Sequence, residues 1–174
     1  DARATFDRFQ PKVSLSYRVT PAVQVYGSYG RGFRSGGFNQ YAPTVPRAFA
    51  FNPAVVGSAM PYVPDFTMAL SADWEKRVGA DTRLTTHIAY RMTGPRSFTL
   101  DFPDVRSGTH RFVDLRIGLS HGPWALTAFG ENIFNERMPE DLFGVFNGAV
   151  DLARQPNRPR RYGLELKRRF GATG

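Results

Sequence analysis

The sequence predicts an all-β chain, an antiparallel transmembrane β-barrel segment of about seven strands. Three observations carry this: apolar and polar residues alternate with period two, charges keep to one side of the alternation, and connections alternate short and long. In 12–19, Val13, Leu15, Tyr17 and Val19 oppose Lys12, Ser14, Ser16 and Arg18. The next run sets Val23, Val25, Gly27 and Tyr29 against Gln24, Tyr26 and Ser28. Phe66, Met68, Leu70, Ala72 and Trp74 face away from Thr67, Ala69, Ser71, Asp73 and Glu75. Leu84, Thr86, Ile88 and Tyr90 oppose Arg83, Thr85, His87, Ala89 and Arg91. Val113, Leu115, Ile117 and Leu119 oppose Asp114, Arg116, Gly118 and Ser120. Trp124, Leu126 and Ala128 mark a weaker sixth strand. In the seventh, Tyr162, Leu164, Leu166 and Phe170 oppose Gly163, Glu165, Lys167 and Arg169, with Arg168 breaking the charge segregation.

Strand length and connection length separate a membrane barrel from a soluble sandwich, which alternates too. Several runs reach about nine to eleven residues, the span of a tilted membrane strand. Short links fall at Thr20-Pro21, 76–81 and 121–123; long ones span 34–61, 92–110 and 135–159. That order matches short periplasmic turns and long outer loops. Tyr17, Trp74, Trp124 and Phe170 then lie toward the turn ends, and Tyr29, Phe33, Phe66, Tyr90 and Tyr162 toward the outer ends, as two aromatic girdles.

The composition agrees. No apolar run is long enough for a membrane helix, yet 14% of residues are aromatic, and with the mean hydropathy of −0.36 this suits a barrel, as it would also suit a soluble β domain. There is no cysteine, hence no disulfide framework and no thiolate metal site. The net charge of +8 is carried mostly by arginine scattered along the chain, which argues against a nucleic-acid patch. The chain starts at Asp1 without a leader, as expected of a mature product or a segment. The glycine-rich stretch 26–40 is not a nucleotide loop. Gly30 and Gly32 open a dinucleotide pattern whose third glycine would fall on Ser35, and no G-K-S/T ending or amphipathic helix follows.

Three stretches resemble the C-terminal part of TonB-dependent outer-membrane receptors, and they occur in that family's order. Residues 6–39 resemble its hairpin with the rim motif Gly32, Phe33, Arg34, Ser35, Gly36, Gly37, Phe38 and Asn39. Residues 126–136 are similar to its penultimate strand with Asn132, Ile133 and Phe134. Residues 160–170 resemble its terminal assembly strand, with Tyr162, Gly163, Leu164, Leu166 and Phe170. The resemblance covers 1–174 as one barrel segment and implies a 22-stranded barrel in which a plug domain, not present in this chain, gates the lumen. It further implies a bacterial outer-membrane location and energised uptake of ferric siderophores or another bulky, scarce nutrient. The implied partners are outer-membrane lipid, the barrel-assembly machinery, the ligand, and the TonB complex acting through the plug; no enzyme activity, cofactor, metal or nucleic acid is implied. Residues 51–66 are expected to join segments that relatives separate by further hairpins.

No catalytic site is predicted. His87 lies mid-strand on the polar side, His110 at a loop end and His121 in a short turn, on the opposite side from His110, and no Ser–His–Asp motif is visible. Arg18, Arg83, Arg91, Arg116 and Arg169 are expected to pair with Asp73, Glu75, Asp114 and Glu165. Loops 96–110 and 136–160, with Phe102, Phe143 and Phe146, are the segments best placed to meet a ligand. Two other readings stay open: a soluble basic β-sandwich that binds a polyanion, and a passive porin-like barrel.

Overall fold

The computed structural model describes residues 9–32, 62–98, 106–146 and 150–170, with backbone alone for 141–154. The described residues form nine strands: β1 (Lys12–Thr20), β2 (Val23–Arg31), β3 (Phe66–Arg77), β4 (Thr82–Thr93), β5 (His110–His121), β6 (Trp124–Glu131), β7 (Pro139–Phe146), β8 (Val150–Pro156) and β9 (Arg161–Arg168). Seven form one antiparallel sheet in the order β1-β2-β3-β4-β5-β6-β9, and β7 and β8 form a separate hairpin. The period-two alternation thus finds every strand of the main sheet. The β7–β8 hairpin inside the expected loop 136–160 is an addition, since 139–156 carries no clean alternation. Four of the sheet strands run 8–9 residues close to their expected limits, but β3, β4 and β5 reach 12 residues, extending to Arg77, to Thr93 and back to His110.

The short connections follow from local chemistry. Pro21 and Ala22 link β1 to β2, where the Ala22 N–H donates to Thr20 Oγ1 at 3.2 Å. Gly122 and Pro123 link β5 to β6; Gly122 has φ of 53°, a left-handed conformation cheap only without a Cβ. Each sheet strand therefore meets its sequence neighbour, except that β6 pairs with β9 across the β7–β8 excursion.

Register places side chains in rows across the sheet. On one side Tyr17, Val25, Ala72, Ile88, Leu115, Gly130 and Tyr162 form a continuous row. On the other, Arg18, Gln24, Asp73, His87, Arg116, Phe129 and Gly163 do the same. Gly163 is required by this second row, because a Cβ there would lie 2.5 Å from the Phe129 ring.

The full strand lengths correct the charge pattern. Arg168 is not alone on the apolar side: Arg31, Lys76 and Arg111 share it by register. All four lie within two residues of a strand end. The middle of that face carries no charge on the described strands.

The sheet is a single layer, and no second layer covers either face among the described residues. Large apolar side chains consequently stay open, Leu15 at 70% and Leu164 at 74% of full exposure. The buried residues, Ser97, Phe98, Ser107, His110, Phe112, Asn132 and Asn157, gather instead at the end opposite the short turns.

Candidate functional site

The polar face is a lattice of charge pairs that adjacent strands hold in register. Arg83 meets Glu75 at 3.1 Å, and Arg91 meets Asp114 at 3.3 Å, as expected from the sequence. The other expected pairings shift. Asp73 holds His87 Nδ1 at 2.7 Å, Glu165 pairs with Lys167 at 2.9 Å, and Arg116 reaches Glu131 at 3.5 Å, a carboxylate shared with Arg161 at 2.8 Å. Arg18 and Arg169 form no ion pair among the described residues. Arg116 and Arg161 both lie over the Phe129 ring, at 5.8 and 5.6 Å, so one aromatic face and one carboxylate fix two guanidinium groups. An open concavity of about 700 Å³ lies against this face, lined in part by Arg18, Gln24, Asp73, His87 and Arg116.

The buried end is organised by two asparagines. Asn132 follows β6 with φ of 49°, a conformation that asparagine tolerates better than most residues. Its backbone N–H donates to Asp114 Oδ1 at 2.8 Å, and its Oδ1 accepts from the Glu136 N–H at 2.8 Å. Its Nδ2 donates to the carbonyls of Glu136 and Arg158, at 3.0 and 3.2 Å. Asn157 Nδ2 donates to the same two carbonyls, at 3.1 and 3.2 Å, while its Oδ1 accepts from the Met138 N–H at 2.8 Å. The two carboxamides thus clamp the entry to β7 against the exit from β8. His110 Nδ1 sits 2.7 Å from Glu136 Oε1, and Arg96 donates to the carbonyls of Pro139 and Glu140 at 2.8 and 3.0 Å. The β7–β8 base is therefore tied to the segment after β4 and to the start of β5.

This geometry gives places to some of the motif residues. Asn132 is the clamp. Ile133 N–H donates to Val113 O, and Tyr162 Oη donates to Ile133 O at 3.2 Å, which binds the penultimate motif to β5 and to the start of β9. Phe134 stands open at 75% exposure. Tyr162, Leu164 and Leu166 line the apolar face of β9, and Phe170 follows the strand rather than ending it. Gly32 leaves β2 with its N–H on Asp65 O, and a side chain there would collide with Pro64 and Val63. Phe33, Arg34, Ser35, Gly36, Gly37, Phe38 and Asn39 lie outside the described residues, as does Phe102; the backbones of Phe143 and Phe146 are in β7. The three histidines hold Asp73, Glu136 and Thr82 respectively, and no group able to hold a metal ion occurs among the described residues.

A single-layer antiparallel sheet with one apolar face, one paired-charge face, short turns at one end and a packed loop base at the other defines a barrel-wall segment. Residues 1–54 match the family model described as TonB dependent receptor-like, beta-barrel. The chain superposes on the ferric yersiniabactin uptake receptor FyuA from Yersinia pestis with a TM-score of 0.69 and 19% identity, over 93% of this chain and 23% of that one. No curated protein matches. The chain thus has the fold of a TonB-dependent receptor barrel segment, not closed on itself, and it spans under a quarter of the length of the receptor it matches.

Proposed function

We propose that the chain forms wall of a bacterial outer-membrane, TonB-dependent receptor that imports a ferric siderophore or another bulky, scarce nutrient. Residues 1–174 act in this reading as one C-terminal barrel segment. The observation that carries it is the uncovered apolar face, whose charges stand only at strand ends. A soluble sandwich would lay a second sheet on that face, whereas lipid covers it here, and a charge in its middle would cost about 2–4 kcal/mol. The paired-charge face then lines the lumen, where the family's plug and the passing ligand reside. The fixed β7–β8 base presents a hairpin to the outside. TonB would act through the plug, and the barrel-assembly machinery would insert the strands.

The test is fractionation followed by uptake. The chain should be recovered from outer membrane only with detergent. Cells carrying the complete receptor that contains it should accumulate a ferric siderophore only while the proton gradient is intact. Recovery as a stable monomer in detergent-free buffer overturns the membrane reading. Gradient-independent passage of small solutes selects the porin-like alternative.

A further inference from the structure

We infer that Arg168, Trp124 and Phe170 form a site for the anionic phosphodiester headgroup of a glycerophospholipid at the short-turn rim. The inference rests on the membrane reading above. Arg168 is the last residue of β9 and faces the apolar side opposite Trp124. Its guanidinium lies 5.0 Å from the Trp124 ring centroid and 4.8 Å from that of Phe170. The Arg169 N–H donates to Pro123 O at 2.8 Å, which holds the segment carrying Phe170 against the β5–β6 turn.

The guanidinium keeps two rings close by and has no hydrogen-bond or ion-pair partner among the described residues, so its N–H donors remain for a phosphate, which a guanidinium matches bidentately. Arg168 has no carboxylate in salt-bridge reach among the described residues, unlike Arg83, Arg91, Arg116 and Arg161 on the other face. Its row continues through His121 to Thr82, whose Oγ1 lies 2.8 Å from His121 Nδ1. The adjacent row toward the sheet centre is Leu84, Leu119, Leu126 and Leu166 on β4, β5, β6 and β9, and it reaches Lys76 only on β3. A rim row with polar ends bordering four consecutive leucines is complementary to a headgroup and the acyl chains beneath it. Arg31, Lys76 and Arg111, the other cations of this face, have no such two-ring setting among the described residues.

The two tryptophans of the chain make the test direct. The chain is placed in phosphatidylcholine vesicles containing a minor fraction of dibrominated phosphatidylglycerol or, in parallel, of dibrominated phosphatidylcholine. In a Trp74→Phe background only Trp124 reports. Its quenching should show an enrichment of phosphatidylglycerol of about fivefold, the attraction of one cation near an anionic headgroup. The preference should vanish in Arg168→Gln and fall as salt is raised. In a Trp124→Phe background, Trp74 should be quenched equally by both lipids. Quenching of Trp124 without headgroup preference, a preference surviving Arg168→Gln, or one indifferent to salt overturns the lipid site while leaving the membrane reading intact. Absence of Trp74 quenching by either lipid overturns both.

Discussion

Asn132 combines a left-handed backbone with a buried carboxamide that satisfies three backbone groups. Asn132→Ala should cost about 1–3 kcal/mol for the backbone groups left unsatisfied, and somewhat more because alanine lacks the local side-chain hydrogen bond that eases asparagine into positive φ. Asn132→Gly removes the backbone part and should recover about 1 kcal/mol of it. Unfolding of the inserted protein in urea measures both, and limited proteolysis should show new cleavage within 137–159 in each. Equal loss in the two variants would mean that the conformation is unimportant. Gly163 makes a different kind of demand. Gly163→Val should cost about 1–3 kcal/mol by overpacking, because it drives the Phe129 ring from beneath Arg116 and Arg161. The same unfolding measurement reads it, and Phe129→Ala in the Gly163→Val background should relieve part of the strain.

For the elements, the two faces of one strand predict opposite tolerance. Ile117 sits mid-strand in β5 on the apolar face, and Ser71 sits mid-strand in β3 on the polar face. In reversible folding into lipid, Ile117→Arg should lose about 2–4 kcal/mol, and Ser71→Arg should stay within about 0.5. A loss at Ser71 as large as that at Ile117 would contradict the assignment of faces. These faces were legible in the sequence because a period of two leaves a chain only one way to segregate its charges. The strand ends were less legible: Lys76, Arg111 and Arg31 keep the strand register but put charge on the apolar side, where turn and strand compositions merge. β7–β8 was not legible, since its ladder is backbone pairing and 139–156 lacks an alternating face. The Asn132–Asn157 clamp escaped for another reason. Its members are 25 positions apart, and only the β6–β9 pairing brings them to the same two carbonyls. The asparagine after a strand end was the signal available, being the residue type that best accepts positive φ outside glycine.

At the scale of the whole molecule, the sheet ends in two strands, β1 and β9, each with one side unpaired in the described structure. Unmet backbone groups at an edge are templates for pairing, and hydrocarbon makes their exposure costly. The chain on its own in detergent should therefore self-associate; light scattering on the eluting species should give masses above the 19.5 kDa of one chain. A monodisperse monomer would require the edges to be covered by residues beyond those described. The fold match points the same way, since the chain spans only 23% of the length of the receptor on which it superposes.

The seven-fold count of sheet strands has a consequence in arithmetic. With every neighbour antiparallel, the first and seventh strands run in the same direction, and both β1 and β9 head for the short-turn end. Bending the sheet until they touch would join them in parallel. An all-antiparallel ring therefore needs an odd number of additional strands, whatever supplies them, and a second copy of the sheet placed head to tail still leaves every junction parallel. For copies that enter the membrane in the same sense, the parity of the described strands, independent of any side chain, leaves a part that only a different part can complete.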